Sequence, residues 1–398
     1  MAMASASVLP LKELDFYRID DLLDSEERMV RDSVRSFIEE RVMPVVPHHW
    51  EAGTFPSELI PEFGELGLLG PAVSEEYGGS GLNSVAYGLI CQEIERCDSG
   101  VRSFASVQGS LVMYPIETFG SEEQKRQWLP KLATGEAIGC FGLTEPDFGS
   151  NPGGMRTRAR RDGDDWIIHG QKMWITNGTV ADISVVWARD EDGKIQGFLI
   201  ENDRDGFSAP ETKHKWSLRC SVTSELVMDE VRVPEANRLP KVEGLKSALS
   251  CLSSARYGIA WGAVGAAQAC FDEVIRYCAD RKIYDKPLGS FQITQTKIAN
   301  MATEITKAQL LVWRLGRMKD AGQMRPQHVS MAKRNNVRMA LDVARECRTL
   351  LGANGITLEY QAGRHACNLE TVLTYEGTEE IHGLILGHEF TGEAAYGA

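Results

Sequence analysis

Four short stretches of the sequence combine residue types that can do chemistry. In Leu373-Thr-Tyr-Glu-Gly-Thr-Glu-Glu-Ile381, Glu376 follows an apolar stretch and precedes Gly377. A glutamate is most often a solvated surface charge. At the end of an apolar run it is instead partly desolvated, and the glycine lets a backbone or ligand come close. That combination suits a general base. In Glu95-Arg-Cys-Asp-Ser-Gly-Val-Arg102-Ser103, charges of both signs crowd around Ser99-Gly100. Spacing alone favours a salt-bridged helix end that stops there. Phe141-Gly-Leu-Thr-Glu-Pro-Asp-Phe-Gly-Ser150 is rich in turn formers, so composition predicts a loop. The same loop has backbone N–H groups and small hydroxyls that can hold a cofactor's carbonyl and phosphate oxygens. Lys172-Met-Trp-Ile-Thr-Asn177 reads first as a core strand with a buried Trp. Its sharper reading is an aromatic wall beside a ring system, with Thr176 offering a hydroxyl.

Other chemistries leave no trace. There is no GxGxxG at a strand–helix turn, and Gly78-Gly79-Ser80-Gly81 reads as a plain turn. No His/Cys cluster has zinc spacing, so no metal site is expected. The nine cysteines form no CxxC pair, and an odd count in apolar stretches reads as reduced thiols in a reducing compartment. A net charge of −13 repels a polyanion, which disfavours a nucleic-acid role. No apolar run reaches the roughly 18 residues of a transmembrane helix. Met1–Pro10 lacks a basic leader and a full apolar segment, so no signal peptide is expected. The expected location is the cytoplasm, with a mature mitochondrial-matrix form as the alternative.

The elements that must position these stretches fall into three textures. Asp24–Met43 carries an apolar stripe at helical spacing, with Asp24 and Glu27 as a capping box and Pro44 as the stop. Ser57–Leu68, Val85–Cys97 and Ser121–Leu132 extend the helical pattern, so residues 1–138 form an N-terminal α-helical domain. Asp165–Thr176, Ile183–Ala188, Gly197–Ile200 and Glu225–Val233 are short runs rich in Val, Ile, Trp and Phe, separated by Asp-Gly and Asn-Gly turn signals. They predict an antiparallel β domain, a barrel or sandwich, over residues 139–244. Leu245–Arg281, Gln292–Ala321, Pro326–Leu351 and Glu379–Phe390 then predict a C-terminal four-helix bundle over residues 245–398. The fold class is α+β, in the order helical, β, helical.

In order, spacing and domain texture the four stretches resemble the acyl-CoA dehydrogenase family, over about Asp20 to Gly392. The resemblance is to the glutaryl-CoA branch of that family. It is carried by Asp98-Ser-Gly-Val-Arg-Ser103, Ser253-Ser-Ala-Arg-Tyr-Gly-Ile-Ala-Trp261, Lys333-Arg-Asn-Asn336 with Ala340-Leu-Asp342, and Thr374-Tyr-Glu-Gly-Thr378.

The resemblance implies FAD as cofactor and an acyl-CoA, glutaryl-CoA, as substrate. Glu376 falls on the base that removes the α proton, while the β hydrogen leaves as hydride. The Glu376 N–H and a ribityl hydroxyl are implied to stabilise the enolate-like carbonyl. The flavin is implied to lie against Phe141, Leu143, Thr144, Ser150, Trp174, Ile175, Thr176 and Thr378. Arg281 and Gln292 match residues that hold the adenine–diphosphate half across a subunit boundary, hence a homotetramer. Leu350, Leu351 and Gly352 match a turn near the adenine, although Ala353 stands where its second glycine is usual.

For the CoA thioester, Ser150, Leu249, Ser250, Leu252, Arg256 and Gly377 occupy matching positions. Arg102 and Ser103 are implied to read the γ-carboxylate, within a network of Glu95, Thr176 and Tyr375. Oxidation followed by loss of CO2 then gives crotonyl-CoA, with an electron-transfer flavoprotein as acceptor. The rivals are a short-chain acyl-CoA oxidase, a monocarboxylic acyl-CoA dehydrogenase and a non-catalytic acyl-CoA-binding protein on the same fold.

Overall fold

The structure is a computed structural model and describes residues 15–395. Asp24 opens the first helix, α1 (Ser25–Phe37), with a reciprocal capping box: each of Asp24 and Glu27 accepts the other's backbone N–H. The chain widens to a π turn at Ile38–Val42 and continues through α2 (Val46–Ala52) and α3 (Ile60–Glu65). Two helices then matter for the site, α4 (Ser84–Cys97) and α5 (Ser99–Ser106). A second π segment (Val107–Met113), α6 (Tyr114–Phe119) and α7 (Glu122–Thr134) complete this part.

The expected helix stop at Ser99-Gly100 is corrected here. Only Asp98 is extended, and its carboxylate accepts the Gly100 N–H at 2.7 Å, so it ends α4 and immediately caps α5. Arg102 and Ser103 therefore sit inside a helix rather than beyond one. The residues taken as breakers are the first turn of the new helix.

The middle of the chain is one mixed sheet. Its strands are β1 (Gly139–Gly142), β2 (Arg158–Asp162), β3 (Asp165–Thr176), β4 (Ile183–Arg189), β5 (Ile195–Glu201), β6 (Phe207–Ser208) and β7 (Thr223–Pro234). The order is β1-β4-β2-β3-β7-β6, with β5 on β4. Most pairings are antiparallel, but β1 runs parallel to β4, and a single bridge joins β2 to β4 in parallel. Phe141 and Gly142 thus belong to a strand, not to the loop that follows. β2 escaped the sequence pattern because, of its five residues, only Ala159 is buried.

A long helix, α8 (Leu245–Asp280), leads into the C-terminal bundle. A small hairpin of β8 (Lys282–Ile283) and β9 (Lys286–Pro287) connects it to α9 (Gln292–Asp320). Then come α10 (Pro326–Leu350), α11 (Gln361–Thr374) and α12 (Glu379–Thr391). The bundle has one helix more than expected. α11 carries Arg364, His365 and Asn368 on its buried face, so polar residues interrupt the apolar stripe that would announce it. One apolar core joins α4, α8, α9, α10 and α11, packing the first helical part against the last. Among the described residues no helix is long and apolar enough to cross a membrane.

Candidate active site

The site lies where α4, α5, α8, α10 and the end of α11 converge. Glu95 on α4 and Arg102 on α5 form an ion pair with Arg102 Nε 2.5 Å from Glu95 Oε2. Both are fully enclosed, with 0% and 1% of their surface exposed. They can pack against α8 only because Gly262 faces them: a Cβ there would stand 1.9 Å from Glu95 Oε2. Arg102 Nη2 also donates to the Tyr375 hydroxyl, and Ser103 Oγ lies 3.3 Å from the same oxygen. Glu95 Oε1 has no hydrogen-bond partner. A buried carboxylate oxygen with no donor is costly and marks a place built for something more than packing.

α11 stops at Thr374, and the chain turns through an elbow of left-handed backbone, φ 49° at Glu376 and 93° at Gly377. A left-handed glutamate is sterically unfavourable and is held by its surroundings. Arg256 Nε on α8 donates to the Glu376 carbonyl at 2.6 Å. Lys333 Nζ on α10 donates to the carbonyls of Tyr375 at 2.9 Å and Gly377 at 2.8 Å. The residue Glu376 is half-buried, but its Oε2 is enclosed and unpartnered. Burial raises its pKa, against the downward pull of Arg102, Arg256 and Lys333. Burial likewise pushes the Tyr375 phenol up to about 12, against Arg102, and draws the Lys333 ammonium down to about 7, against Glu376. For Arg102 burial opposes the charge, yet Glu95 and Tyr375 outweigh it, and the guanidinium is held above its usual range.

The structure thus brings Glu95, Arg102, Ser103, Arg256, Tyr375, Glu376 and Gly377 together. A second group gathers at the end of β3. The β3–β7 register shifts between Lys172 and Ile175, and the bulge puts Trp174 at φ 62° with 58% of the residue exposed. The buried-Trp reading therefore fails, and the indole stands free for a flat ligand. Ile175 is buried, and Thr176 is half-buried. Met173 N–H donates to Thr144 O at 2.9 Å, tying the 141–150 loop to the bulge. Asn177 Nδ2 reaches Phe104 O at 3.4 Å, which fastens this strand end to α5 beside Ser103.

Phe141 and Leu143 are committed to the core, Phe141 with its ring 6.0 Å from that of Trp187. Ser150 is exposed at the loop's end. Thr378 uses its hydroxyl to cap α12, accepting the Ile381 N–H at 3.3 Å. Leu249, exposed, and Ser250 and Leu252, half-buried, lie on the first turns of α8. Arg281 and Gln292 are exposed at the other end of the bundle and join neither group. Leu350, Leu351 and Gly352 close α10. Gly352 is left-handed at φ 62°, and Leu351 O lies 3.3 Å from the Tyr277 hydroxyl.

Sequence reasoning missed one residue of the site, Lys333, and one of its scaffold, Glu145. Lys333 was noted only as part of a motif, and its burial was not signalled by its polar neighbours. Glu145, inside the loop, is the buried partner of Lys172 at 2.8 Å, and it also accepts from Arg156 N, Thr157 N and Thr157 Oγ1.

The chain thus runs as a helical part, a β part and a helical bundle, with a buried carboxylate on a strained elbow after α11. The chain belongs to the acyl-CoA dehydrogenase family: residues 24–136, 140–231 and 242–390 match its N-terminal, middle and C-terminal domains. It is similar to a glutaryl-CoA dehydrogenase from Mycobacterium smegmatis, solved in complex with FADH2, at 56% identity and a TM-score of 0.95, covering 96% of this chain and 99% of that one. It is also similar to a probable acyl-CoA dehydrogenase of Bacillus subtilis (strain 168), 36% identical over 92% of this chain and 98% of that protein. The mitochondrial short-chain specific acyl-CoA dehydrogenase of Rattus norvegicus is 34% identical over 95% and 94% of the two chains.

Proposed function

We propose that the chain is an FAD-dependent glutaryl-CoA dehydrogenase that oxidises and decarboxylates its substrate to crotonyl-CoA and CO2. The observation that carries this reading is the buried Glu95–Arg102–Tyr375 network with its unpartnered Glu95 oxygen, next to the raised carboxyl of Glu376. The 56% identity to the Mycobacterium smegmatis enzyme supports it.

FAD fits the residues at the β3 bulge: an exposed indole at Trp174, the Thr144 and Thr176 hydroxyls and the backbone of the 141–150 loop suit a flat ring with a phosphate tail. Leu350 to Gly352, Thr378, Arg281 and Gln292 would hold its remaining parts. When bound, FAD supplies the hydride acceptor and hands its electrons to an electron-transfer flavoprotein. Arg281 and Gln292 serve a neighbouring subunit of a homotetramer in this reading. Exposed Tyr284 (89%), Ile293 (74%) and Ile356 (79%), at or near that end of the bundle, support such a covered face.

Glu376 takes the α proton of the thioester as the β hydrogen leaves with its electron pair. Its raised pKa matches a base that must accept this proton and later return one. Ser150, Leu249, Ser250, Leu252 and Arg256 flank the CoA arm. Arg102 and Ser103 grip the γ-carboxylate, and a guanidinium fixed by Glu95 on one side keeps its remaining N–H groups for that ligand. A monocarboxylic chain leaves this cation unmatched, which penalises it. After oxidation the carboxylate sits on the carbon allylic to the new double bond. Loss of CO2 leaves a dienolate that the thioester stabilises, and protonation gives crotonyl-CoA. A bacterial cytoplasm or a mitochondrial matrix suits such an enzyme.

Product analysis tests the reading: glutaryl-CoA must give crotonyl-CoA and CO2 in equal amounts. Glutaconyl-CoA accumulating without CO2 removes the decarboxylation. The second reading, a short-chain monocarboxylic dehydrogenase, is favoured by the short-chain relative at 34% identity. It requires butyryl-CoA to outperform glutaryl-CoA.

A further inference from the structure

Lys333 lies on α10, outside all four stretches that suggested chemistry, yet its side chain ends inside the site with 1% of its surface exposed. We propose that Lys333 is a positioning residue for the reaction: its buried ammonium holds the backbone of Tyr375 to Gly377 in the left-handed elbow that aims Glu376. This rests on the reading of Glu376 as the base.

Three successive carbonyls point into the interior at this elbow, and two cations share them alternately. Lys333 takes Tyr375 O and Gly377 O, at 2.9 and 2.8 Å, and Arg256 takes Glu376 O between them at 2.6 Å. Lys333 bridges the Tyr375 and Gly377 carbonyls, and the His382 imidazole lies against the Glu376–Gly377 backbone from α12. Lys333 Nζ also lies 3.5 Å from Leu373 O, in the last turn of α11, where a helix leaves its carbonyls unpaired and its dipole negative. Without a buried donor these carbonyls would be orphaned, and the backbone would relax from two consecutive positive φ angles. The elbow has little room to relax on its other side: a Cβ on Gly377 would stand 2.8 Å from His382 Nε2.

The same ammonium acts on Glu376 through space. The charges that act on that carboxyl are Arg102 from α5, Arg256 from α8 and Lys333 from α10. From α12, Glu379 favours the charged form of Lys333, and the His382 imidazole faces Lys333 and the Glu376–Gly377 backbone. Burial raises the Glu376 pKa and the three cations lower it, so removing one must raise it further.

The test compares Lys333→Gln, which keeps N–H donors without charge, with Lys333→Arg and Glu376→Gln, all as FAD-loaded enzyme. FAD content and melting are recorded beside kcat, KM and the pH profile of anaerobic flavin bleaching by glutaryl-CoA. Lys333→Gln is expected to melt cooperatively with FAD bound and to keep KM within about threefold. Its kcat should fall about a hundredfold, and its acid limb should move up by about one pH unit. Lys333→Arg should recover kcat to within about tenfold with the limb in place. Parental kcat and limb in Lys333→Gln, beside an inactive Glu376→Gln, overturn the inference and leave the base reading standing. Turnover by Glu376→Gln removes the base and the inference together. If Lys333→Gln does not fold, Lys333→Arg decides: a folded, FAD-loaded variant as slow as Glu376→Gln overturns the inference.

Discussion

Two of the protein's buried carboxylate–cation pairs differ in completeness. In the β part, Glu145 receives Lys172 Nζ, two backbone N–H groups and a threonine hydroxyl, so both of its oxygens are satisfied. In the helical seam, Glu95 receives one bond from Arg102 and keeps Oε1 bare, and Arg102 turns its Nη2 to a tyrosine hydroxyl. A fully satisfied buried pair rigidifies what it joins, here the 141–150 loop to β3. An incompletely satisfied pair costs stability; here a ligand carboxylate can accept from Arg102, while the bare Glu95 oxygen calls for a donor. Of these two pairs, the incompletely bonded one lies beside Glu376.

The largest expected effect falls on neither pair but on Glu376. Glu376→Gln should keep the fold and bound FAD while lowering the rate of flavin bleaching by glutaryl-CoA about 10³-fold or more, measured by stopped flow. A rate within tenfold of the parent removes Glu376 from the base role. Next comes the incomplete pair. In Arg102→Met with Glu95→Gln, both charges go together, so no lone buried ion is left. This double variant should lose about 10²- to 10³-fold in preference for glutaryl-CoA over butyryl-CoA, corresponding to roughly 3–4 kcal/mol. Its midpoint of urea unfolding should move little. The complete pair should behave in the opposite way. Lys172→Met with Glu145→Gln should keep the substrate preference and lose about 2–4 kcal/mol of stability, because glutamine keeps one acceptor oxygen and turns an NH2 toward the amide of Arg156 or Thr157. Equal stability losses in the two double variants break the comparison.

Part of this difference was legible in the sequence. Asp24 with Glu27, the strands at Asp165–Thr176 and Ile183–Ala188 and the long helices of the bundle follow from caps and periodicity. Local signals failed wherever tertiary contacts overrode them. Ser99-Gly100 reads as a stop because Asp98 can cap a new helix only once the chain has turned there. α11 was hidden by Arg364, His365 and Asn368, whose partners lie in other elements: Arg364 with Cys97 O, His365 with Arg96 O, Asn368 with Asp98. In the site, Glu376 and Gly377 stood out through residue type and an apolar flank. Lys333 did not, because a lysine among polar residues on a helix looks solvated until its acceptors, some forty positions away in sequence, are placed. The positive φ of Trp174, which turns a core-like residue outward, has no sequence signal at all.

Two smaller effects sharpen the same contrast. Glu376 must be deprotonated to act, and burial raises its pKa despite three nearby cations. The rate of bleaching should therefore rise with pH through a limb above the usual carboxylate range of about 4.3, and fall away as acid protonates the base. A limb at or below that range contradicts the desolvated geometry. Trp174→Ala should leave the fold intact and weaken FAD binding by about tenfold, read by flavin retention on dilution. Unchanged retention moves the ring site away from the bulge.

The most direct test of the central claim is anaerobic bleaching of the parent enzyme by glutaryl-CoA and butyryl-CoA in parallel, with CO2 assayed in both, repeated on the Arg102→Met/Glu95→Gln variant. The account predicts fast bleaching with CO2 from glutaryl-CoA in the parent, slow bleaching by butyryl-CoA, and collapse of that preference in the variant. Bleaching by butyryl-CoA that matches or exceeds glutaryl-CoA in the parent, or a preference that survives in the variant, contradicts it.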